Sequence, residues 1–424
     1  KKLKMIRFLD TKSKNYQAEL INFLELRRSG KNIDTTIVKR ILKDVKVNKN
    51  KALLKYEKKF SNNNSIKIGD NELKASIKSL DRRIKQSIDL AYSRIFNFHK
   101  KQQRKNIFYK DIYNNKLSYK YVPLQSVGIY VPANLPSTLL MNSVPAKIAG
   151  VKRIVLANPK LNGKLNPAVL YAAQKVGVNE IYSMGGAQAI ASLAYIQKVN
   201  KIVGPGNIFV AAAKKELFGQ VGIESMVAGP SEITILADNK TKLEDVLTSM
   251  IGQAEHDENS QCILISKDLR LIKEFQKKIK EKIKKLPRRS IAYKSLKNNG
   301  LTIFAKKNSD IINSINEIAP EHLEINISKP NKIINKVINV GSVCIGKYSP
   351  MAVTDYNAGT NHVLPTFGSA KFASGLNVNE FYKKISYITL SKKGVEKIGE
   401  SATHLAEYEQ LYGHALSIRS RMRR

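Results

Sequence analysis

An alternation of short apolar runs with helix-length segments, which begins near residue 126, constrains the fold of this chain more than any other feature. Strand-like and helix-patterned segments follow each other at residues 127–131, 135–149, 154–157, 166–176, 180–183, 186–196, 201–203 and 207–218. Strands that alternate with helices in this way form a parallel sheet with helices on both faces. We therefore expect an α/β fold.

A second series of the same rhythm follows the first. Its strand-like and helix-patterned segments lie at residues 233–237, 243–254, 261–266, 268–285, 301–305, 309–318, 323–327, 331–340 and 343–345. The sequence thus predicts two doubly wound parallel-sheet domains of incomplete Rossmann-like type. Spaced apolar positions among charges predict helical N- and C-terminal extensions, at residues 12–28, 33–60, 71–105 and 379–424.

These patterns divide the chain into four parts. A chain of 424 residues is long enough for two domains with separate cores. The expected parts are an N-terminal helical extension (1–25), a discontinuous first α/β domain (26–125 with 232–378), a second α/β domain (126–231) and a C-terminal helical tail (379–424).

Charge is the most unusual part of the composition. Lysine plus arginine number 73 against 34 aspartates plus glutamates, a formal net charge of +39, which raises the hypothesis of an RNA-binding protein. The lysines are spread along the whole chain, however, and no RNA-binding motif or zinc finger accompanies them. We expect no specific nucleic-acid partner, although this charge predicts nonspecific attraction that weakens in salt.

Other features bear on location. No run approaches eighteen apolar residues, and the basic N-terminus lacks an apolar stretch, so we expect neither a membrane span nor a secretory signal. The two cysteines, Cys262 and Cys344, each lie in an apolar run typical of a buried strand. Unpaired cysteines agree with a reducing compartment, and we expect a cytoplasmic protein.

Side chains that can bind a metal ion gather in four stretches, at residues 253–256, 320–323, 355–356 and 409–414. Gln253 and His256 are three residues apart at the end of a helix-patterned segment, so they share one face and can act as a pair of ligands. Glutamine is neutral and a weak ligand, so an ion held partly by it stays open to further donors, as a substrate-binding ion must be. Taken alone, each stretch is better explained by an ordinary surface or core histidine.

Two glycine-rich turns are candidates for a phosphate site. Residues 185–186 and 204–207 each join a strand-like run to a helix-patterned segment, where backbone N–H groups can approach a phosphate. Plain tight turns would have the same composition. The G-x-G-x-x-G fingerprint of ordinary dinucleotide-binding domains is missing.

Six runs of this sequence resemble, in order and roughly in spacing, the motifs of the histidinol dehydrogenase family. The runs are YSMGGAQA at 182–189, GPGN at 204–207, AGPSE at 228–232, QAEH at 253–256, PEHL at 320–323 and GTNHVLP at 359–365. The likeness extends from about residue 127 to residue 414. It implies an enzyme that oxidises L-histidinol through L-histidinal to L-histidine, the last step of histidine biosynthesis, with one zinc ion per subunit and NAD as cofactors.

The resemblance also assigns roles to residues. His322 would be the general base that takes the alcohol proton, and Glu321 would activate water for the second oxidation. The metal ligands would be Gln253, His256, Asp355 and His414. Substrate contacts would come from Ser231 and Glu409 together with Gln253, His256, His322, Asp355 and His414.

For the cofactor, the resemblance implies that Tyr130, Gln188 and Asn207 hold NAD, which places it beside the second α/β domain. One departure is that this chain has Ala133 and Asn134 where the family usually has glycines. The resemblance further implies a homodimer in which the tail that carries His414 completes the active site of the neighbour.

Some alternatives stay open on the sequence. A metallohydrolase in which Glu321 activates a metal-bound water would use the same acids and histidines, but it leaves the two glycine-rich turns without a purpose. His362 is as consistent with a residue that orders its loop as with one that lies at the site.

Overall fold

The computed structural model describes residues 5–28, 35–161, 163–178, 180–224 and 229–422. Parts of three predicted segments, residues 33–34, 228 and 423–424, lie outside the described residues. The chain begins with elements β1 Arg7–Asp10, α1 Tyr16–Arg28, α2 Thr35–Ser61, α3 Asp70–Lys78, α4 Arg82–Lys100, β2 Ile107–Lys110 and β3 Lys116–Pro123.

The middle of the chain forms a five-stranded parallel sheet. Its elements are β4 Ser126–Tyr130, α5 Pro136–Ala149, β5 Arg153–Ala157, α6 Pro167–Val176, β6 Glu180–Tyr182, α7 Gly186–Tyr195, β7 Lys201–Val203, α8 Ile208–Leu217 and β8 Gly222–Ile223. The strand order is β6-β5-β4-β7-β8. Because the order reverses between β4 and β7, their carboxyl ends flank the crevice where such sheets commonly bind ligands.

Successive residues of β4 face opposite sides of this sheet, as in any strand. Val127 and Ile129 belong to a core that also contains residues of α4, α5 and α6. Tyr130 belongs to the opposite core, to which α2, α7 and α8 contribute. The N-terminal helices α2 and α4 therefore complete both faces of the five-stranded sheet.

The second half of the chain forms a six-stranded parallel sheet. Its elements are β9 Glu232–Ala237, α9 Leu243–Ala254, β10 Gln261–Ser266, α10 Leu269–Ile283, α11 Arg289–Asn299, β11 Gly300–Phe304, α12 Asn308–Ile318, β12 His322–Asn326, α13 Asn331–Ile334, β13 Ser342–Ile345 and α14 Met351–Thr354. The strand order is β1-β11-β10-β9-β12-β13. Apolar cores cover both faces, and the amino ends of β9, β10 and β12 meet at one edge.

The remaining elements form an extended arm. After two short 3-10 helices at Ser369–Lys371 and Val378–Phe381 come β14 Tyr382–Thr389, α15 Lys392–Tyr408 and α16 Tyr412–Met422. Strand β14 pairs antiparallel with β3, which pairs antiparallel with β2. We call β2, β3, β14, α15 and α16 together the arm.

The predicted fold class is confirmed: two parallel sheets flanked by helices, with helical segments at both ends. Strands β1, β2, β3, β8 and β14 were not predicted, because they are short or solvent-exposed and lack a buried apolar face. The prediction that residues 379–424 are helical is wrong at β14, which occupies residues 382–389 and has exposed residues along nearly its whole length. Helix α13 ends at Ile334, earlier than the predicted 331–340. The predicted domain boundaries stay predictions, although all strands of the five-stranded sheet lie within residues 126–231.

Both cysteines are buried and unpaired, Cys262 in β10 and Cys344 in β13, as predicted. Among the described residues, no helix combines the length and the apolar character that crossing a membrane requires.

Candidate active site at the edge of the six-stranded sheet

The predicted catalytic pair lies at the amino edge of the six-stranded sheet. His322 is the first residue of β12 and Glu321 directly precedes it, and both are buried. The His322 Nε2 atom lies 3.7 Å from Asp355 Oδ1 and 3.9 Å from Glu321 Oε1. Asp355 is brought there by α14, which it terminates as the C-cap residue. A base and two carboxyl groups thus surround one small space.

Burial keeps the imidazole of His322 neutral. Desolvation lowers the pKa of His322 to about 3, with further lowering from the nearby His362 and His256. Its Nδ1 atom is buried and has no hydrogen-bond partner within the described residues. A neutral imidazole with an unshared nitrogen can accept a proton at neutral pH.

The two carboxyl groups are also perturbed by burial. Desolvation raises the pKa of Glu321 well above its usual value, and the negative charges of Glu232 and Asp355 add to this. Desolvation likewise raises the pKa of Asp355 to about 7. Perturbed groups clustered in one place are typical of functional sites.

His362, whose role the sequence left open, lies beside Glu321, His322 and Asp355, which we call the cluster. Its Nδ1 atom is 2.7 Å from the backbone oxygen of Asp355, and its Nε2 atom is 3.4 Å from the Thr138 hydroxyl of α5. Desolvation lowers the pKa of His362 to about 4. His362 therefore lies against both the six-stranded sheet's site and a helix of the five-stranded sheet.

Three of the four predicted metal ligands approach this cluster. Gln253 and His256 come from the end of α9, against which α14 packs. Gln253 is buried, and its side-chain nitrogen has no hydrogen-bond partner among the described residues. His256 is exposed, yet the protein around its ring lowers its pKa by desolvation. Its charge also influences His322 and His362, which places the three histidines near one another.

The fourth predicted ligand is elsewhere. His414 lies on α16 of the arm and is exposed, as is Glu409, the C-cap residue of α15. Within the part of the chain that the structure describes, no three His, Cys, Asp or Glu side chains are close enough together to hold a metal ion. One chain therefore does not assemble the full predicted ligand set. Ser231, the other predicted substrate contact, is half-buried directly before β9, near the cluster's edge of the sheet.

The predicted cofactor residues lie at the carboxyl edge of the five-stranded sheet. Tyr130 ends β4 at the crevice between β4 and β7, and its hydroxyl accepts a 3.4 Å hydrogen bond from the backbone of Gly186. Gln188 is buried in the first turn of α7 and donates to Glu57 over 2.9 Å. Asn207 is exposed and caps α8 by accepting from the N–H groups of Phe209 and Val210.

The sequence did not single out Glu57, which lies 128 residues from the turn that it contacts. Its carboxylate accepts the Gly185 N–H at 2.9 Å as well as the Gln188 amide. This carboxylate therefore already accepts the backbone N–H of Gly185 before α7, where the sequence predicted a candidate phosphate site. Residues 206–209 at the amino end of α8 are exposed, whereas Gly185 and Ala187 at the start of α7 are buried.

Gly204→Ala should destabilise the protein at the crevice between β4 and β7. At φ +111° the glycine is left-handed, and a Cβ atom there would lie 2.0 Å from the backbone oxygen of Tyr130. We expect a loss of about 3 kcal/mol or more in the free energy of unfolding, measured by urea titration. Gly219→Ala is the control, because Gly219 also has positive φ (+86°) but no atom near the added Cβ; it should lose only about 1–2 kcal/mol. Equal losses would contradict the proposed close approach.

Comparison with known proteins agrees with the geometry. The family model described as histidinol dehydrogenase matches residues 26–422. The histidinol dehydrogenase of Pelagibacter ubique (strain HTCC1062) is 54% identical over 427 residues, covering 99% of this chain and 100% of the relative. That of Bacillus subtilis (strain 168) is 41% identical and covers 95% of this chain and 97% of the relative.

A solved structure gives the same result in three dimensions. The crystal structure of histidinol dehydrogenase from Elizabethkingia anophelis superimposes with a TM-score of 0.93 at 34% identity, covering 99% of this chain and 98% of the other. Family model, sequence relatives and fold agree over nearly the whole length. The chain belongs to the histidinol dehydrogenase family of oxidoreductases.

Proposed function

We propose that this protein oxidises L-histidinol through L-histidinal to L-histidine, in the cytoplasm, with zinc and NAD as cofactors. The observation that carries the proposal is the buried cluster in which neutral His322 lies within 4 Å of both Glu321 and Asp355. Two successive oxidations of one carbon need a base for hydroxyl protons and a group that activates water. The cluster contains one candidate for each.

In the first oxidation, His322 takes the hydroxyl proton as a hydride leaves the same carbon. Burial lowers the pKa of His322, so the imidazole is unprotonated at neutral pH and has a nitrogen available for the hydroxyl proton. NAD supplies the hydride acceptor in both oxidations, so two NAD are reduced for each histidine formed.

In the second oxidation, a water molecule must add to the aldehyde carbon. Before this step, His322 releases to solvent the proton that it took in the first oxidation. Glu321, once ionised, takes a proton from this water, and His322 then takes the hydroxyl proton of the hydrate as the second hydride leaves. One oxygen of Glu321 is held by the backbone N–H of Glu232 at 2.7 Å, whereas Oε1 faces His322. Oε2 of Glu321 therefore holds the carboxylate in place, and Oε1 is the oxygen that would take the proton from water.

The donors around the cluster fit a zinc ion that binds substrate. Buried polar atoms are normally hydrogen-bonded, so the unpartnered amide of Gln253 is suited to a group that enters the site. Gln253, His256 and Asp355 supply neutral and oxygen donors and leave positions open. Zinc would hold the imidazole and amine of histidinol and so orient the reacting carbon.

The residues proposed for NAD fit a cofactor at the crevice of the five-stranded sheet. Tyr130 and the turn before Asn207 lie on the two strands between which the strand order reverses. Ala133 and Asn134 lie three and four residues after Tyr130, in the loop that leads from β4 to α5. Helix α5 of the same sheet reaches the cluster, because its Thr138 contacts His362.

The arm supports a homodimer with shared sites. All four residues of β2 and seven of the eight in β14 are exposed, so the arm's sheet has no packed face in one chain. Large apolar side chains that are more than 60% exposed in the arm are Phe108, Ile388, Leu405, Tyr408, Tyr412 and Leu416, and Ile112 in the turn between β2 and β3 is also exposed. Apolar surface of this extent is typical of a protein interface. We propose that the arm packs on a second copy and delivers His414 and Glu409 to its cluster.

An assay of NADH formation tests the proposed activity. Purified protein loaded with zinc should reduce two NAD for each histidinol consumed and release histidine. A metallohydrolase would release product without NADH. Absence of NADH from metal-loaded, dimeric protein would overturn the proposal.

We predict that His256→Ala and Asp355→Ala each lose zinc and activity together. Each substitution removes one of few ligands, so zinc should fall from about one ion per subunit toward zero, as measured by elemental analysis of the purified variants. His404→Ala is the matched control, since His404 is an exposed histidine of α15 and should keep its zinc. Stoichiometric zinc in either ligand variant would show that the ligand assignment is wrong.

A further inference from the structure

Glu321 is held by a residue that the predicted site does not include. The Glu321 carboxylate accepts a 2.7 Å hydrogen bond from the backbone N–H of Glu232, and the Glu232 carboxylate accepts a 3.2 Å bond from the backbone N–H of Glu321. The starts of β9 and of β12 are thus joined by two reciprocal bonds. This arrangement fixes Oε2 of Glu321 and leaves Oε1 facing His322 at 3.9 Å.

Glu232 is in turn held by Arg27 of α1. Both side chains are buried and form an ion pair. The guanidinium also donates to the backbone oxygens of Asn259 at 3.0 Å and Pro230 at 2.6 Å, and it lies 4.7 Å from the ring centre of Phe367. With three of its nitrogens bonded, Arg27 has a fixed position.

The Glu232 carboxylate also bonds to the loop that contains Phe367. Its Oε1 atom also accepts the backbone N–H of Phe367 at 2.8 Å. Phe367 has a positive φ of +54°, a strained conformation for a bulky residue that the surroundings must maintain. Four separate segments of the chain therefore meet at the Glu232 carboxylate, and its position is overdetermined.

Stability alone explains this arrangement poorly. A buried ion pair contributes little compared with a packed apolar pair, and here a second buried carboxyl group lies beside the first. Glu321 gains from the pair a defined orientation and a nearby positive charge. Such support by neighbouring groups is what holds a reacting side chain in its productive geometry.

We propose that Arg27 and Glu232 are positioning residues that hold the Glu321 carboxylate for the water-dependent second oxidation. The inference rests on the proposed function, in which Glu321 acts on water and His322 acts in both steps. Arg27 and Glu232 touch neither substrate nor cofactor in this account; they act through Glu321.

Separate assays of the two oxidations test the inference. Glu232→Gln and Arg27→Met should slow the conversion of histidinal to histidine by about 10- to 100-fold, with the conversion of histidinol to histidinal changed by less than about threefold when it is followed in a single turnover. Arg27→Lys, which keeps the charge, should recover part of the second step. Arg153→Met is the matched control, because it breaks an Arg–Glu pair with Glu180 in the other sheet and should leave the ratio of the two rates unchanged.

The pH dependence of the second step provides a readout that a merely structural role would not move. The charged or titratable groups around Glu321 are Arg27, Glu232, Asp355 and His322. Glu321 must be ionised to take a proton, so the rate falls as the pH drops through its pKa. Burial raises the pKa of Glu321 and the backbone N–H of Glu232 lowers it, while the charge of the Glu232 carboxylate raises it and the charge of Arg27 lowers it. The acid limb should therefore move to higher pH in Arg27→Met and to lower pH in Glu232→Gln.

The outcomes are distinct. Folded variants that slow both oxidations equally, or whose acid limbs move in the same direction, overturn the positioning role while the proposed function stands. A wild-type protein that reduces no NAD with histidinol overturns the proposed function and this inference with it. If Arg27→Met does not fold, Glu232→Gln and Arg27→Lys still decide, because both keep the side-chain volume close to the original.

Discussion

Glu321→Gln should slow the oxidation of histidinal to histidine by about 10²–10⁴-fold, the usual contribution of a general base, and leave the oxidation of histidinol much less affected. Glutamine keeps the size and the acceptor for the Glu232 N–H but cannot take a proton from water. His322→Gln should instead slow both oxidations, because each requires removal of a hydroxyl proton. The measurement is a single-turnover assay of NADH formation with histidinol or with histidinal as the starting substrate.

The separation of roles depends on two facts of the structure. His322 is neutral because burial lowers its pKa to about 3, so its imidazole is unprotonated at the start of either step. Glu321 has one oxygen bonded to the backbone and the other 3.9 Å from His322, so only one oxygen is free to meet water. If Glu321→Gln slows the two half-reactions to the same extent, Glu321 is not a water activator and the assignment of roles fails.

The βα series could be predicted from the sequence because its strands are buried on both faces. All residues of β4, β9, β10 and β11 are buried, so each appears as a continuous apolar run of strand length. The strands of the arm lack this signal. Strand β14, for example, has exposed residues along nearly its whole length, and its pairing with β3 joins segments more than 250 residues apart, which no local pattern indicates.

Some residues of the candidate site could be predicted from the sequence and others could not. Glu321, His322 and the 253–256 pair are visible in the sequence because their members are adjacent or share a helix face. Arg27 is not visible, since an arginine at the end of an amphipathic helix is normally a surface residue, and its partner Glu232 is 205 residues away. Glu57 could not be identified from the sequence for the same reason, because it lies 131 residues before Gln188, to which it is hydrogen-bonded. Buried ion pairs between distant segments depend on tertiary structure.

The proposed dimer also bears on how the proposed metal site would be completed. Gln253, His256 and Asp355 approach the cluster within one chain, whereas His414 is exposed on α16. The set of metal ligands is incomplete in a single chain, and the apolar side chains of the arm face solvent. A two-fold dimer would supply the missing ligand and cover these side chains. Each arm would complete the other copy's site, as the symmetry of a closed dimer allows.

Two inactive variants should therefore restore each other. In a mixed dimer of His414→Ala and His322→Gln chains, one site combines the intact His322 of the first chain with the intact His414 of the second. Co-expression should recover activity, up to about one working site in each mixed dimer, measured on dimers purified through two different affinity tags. Neither variant alone should exceed background.

A second pairing makes this result specific. His256→Ala combined with His322→Gln should give no recovery, because both residues come from the same chain's part of the site and every site in the mixed dimer then carries one lesion. Recovery in this control would point to subunit exchange with intact protein or to a different division of the site. If the His414 pairing also gives no recovery in demonstrated mixed dimers, α16 folds back onto its own cluster, and the shared-site model is wrong while the ligand assignment of His256 and Asp355 stands.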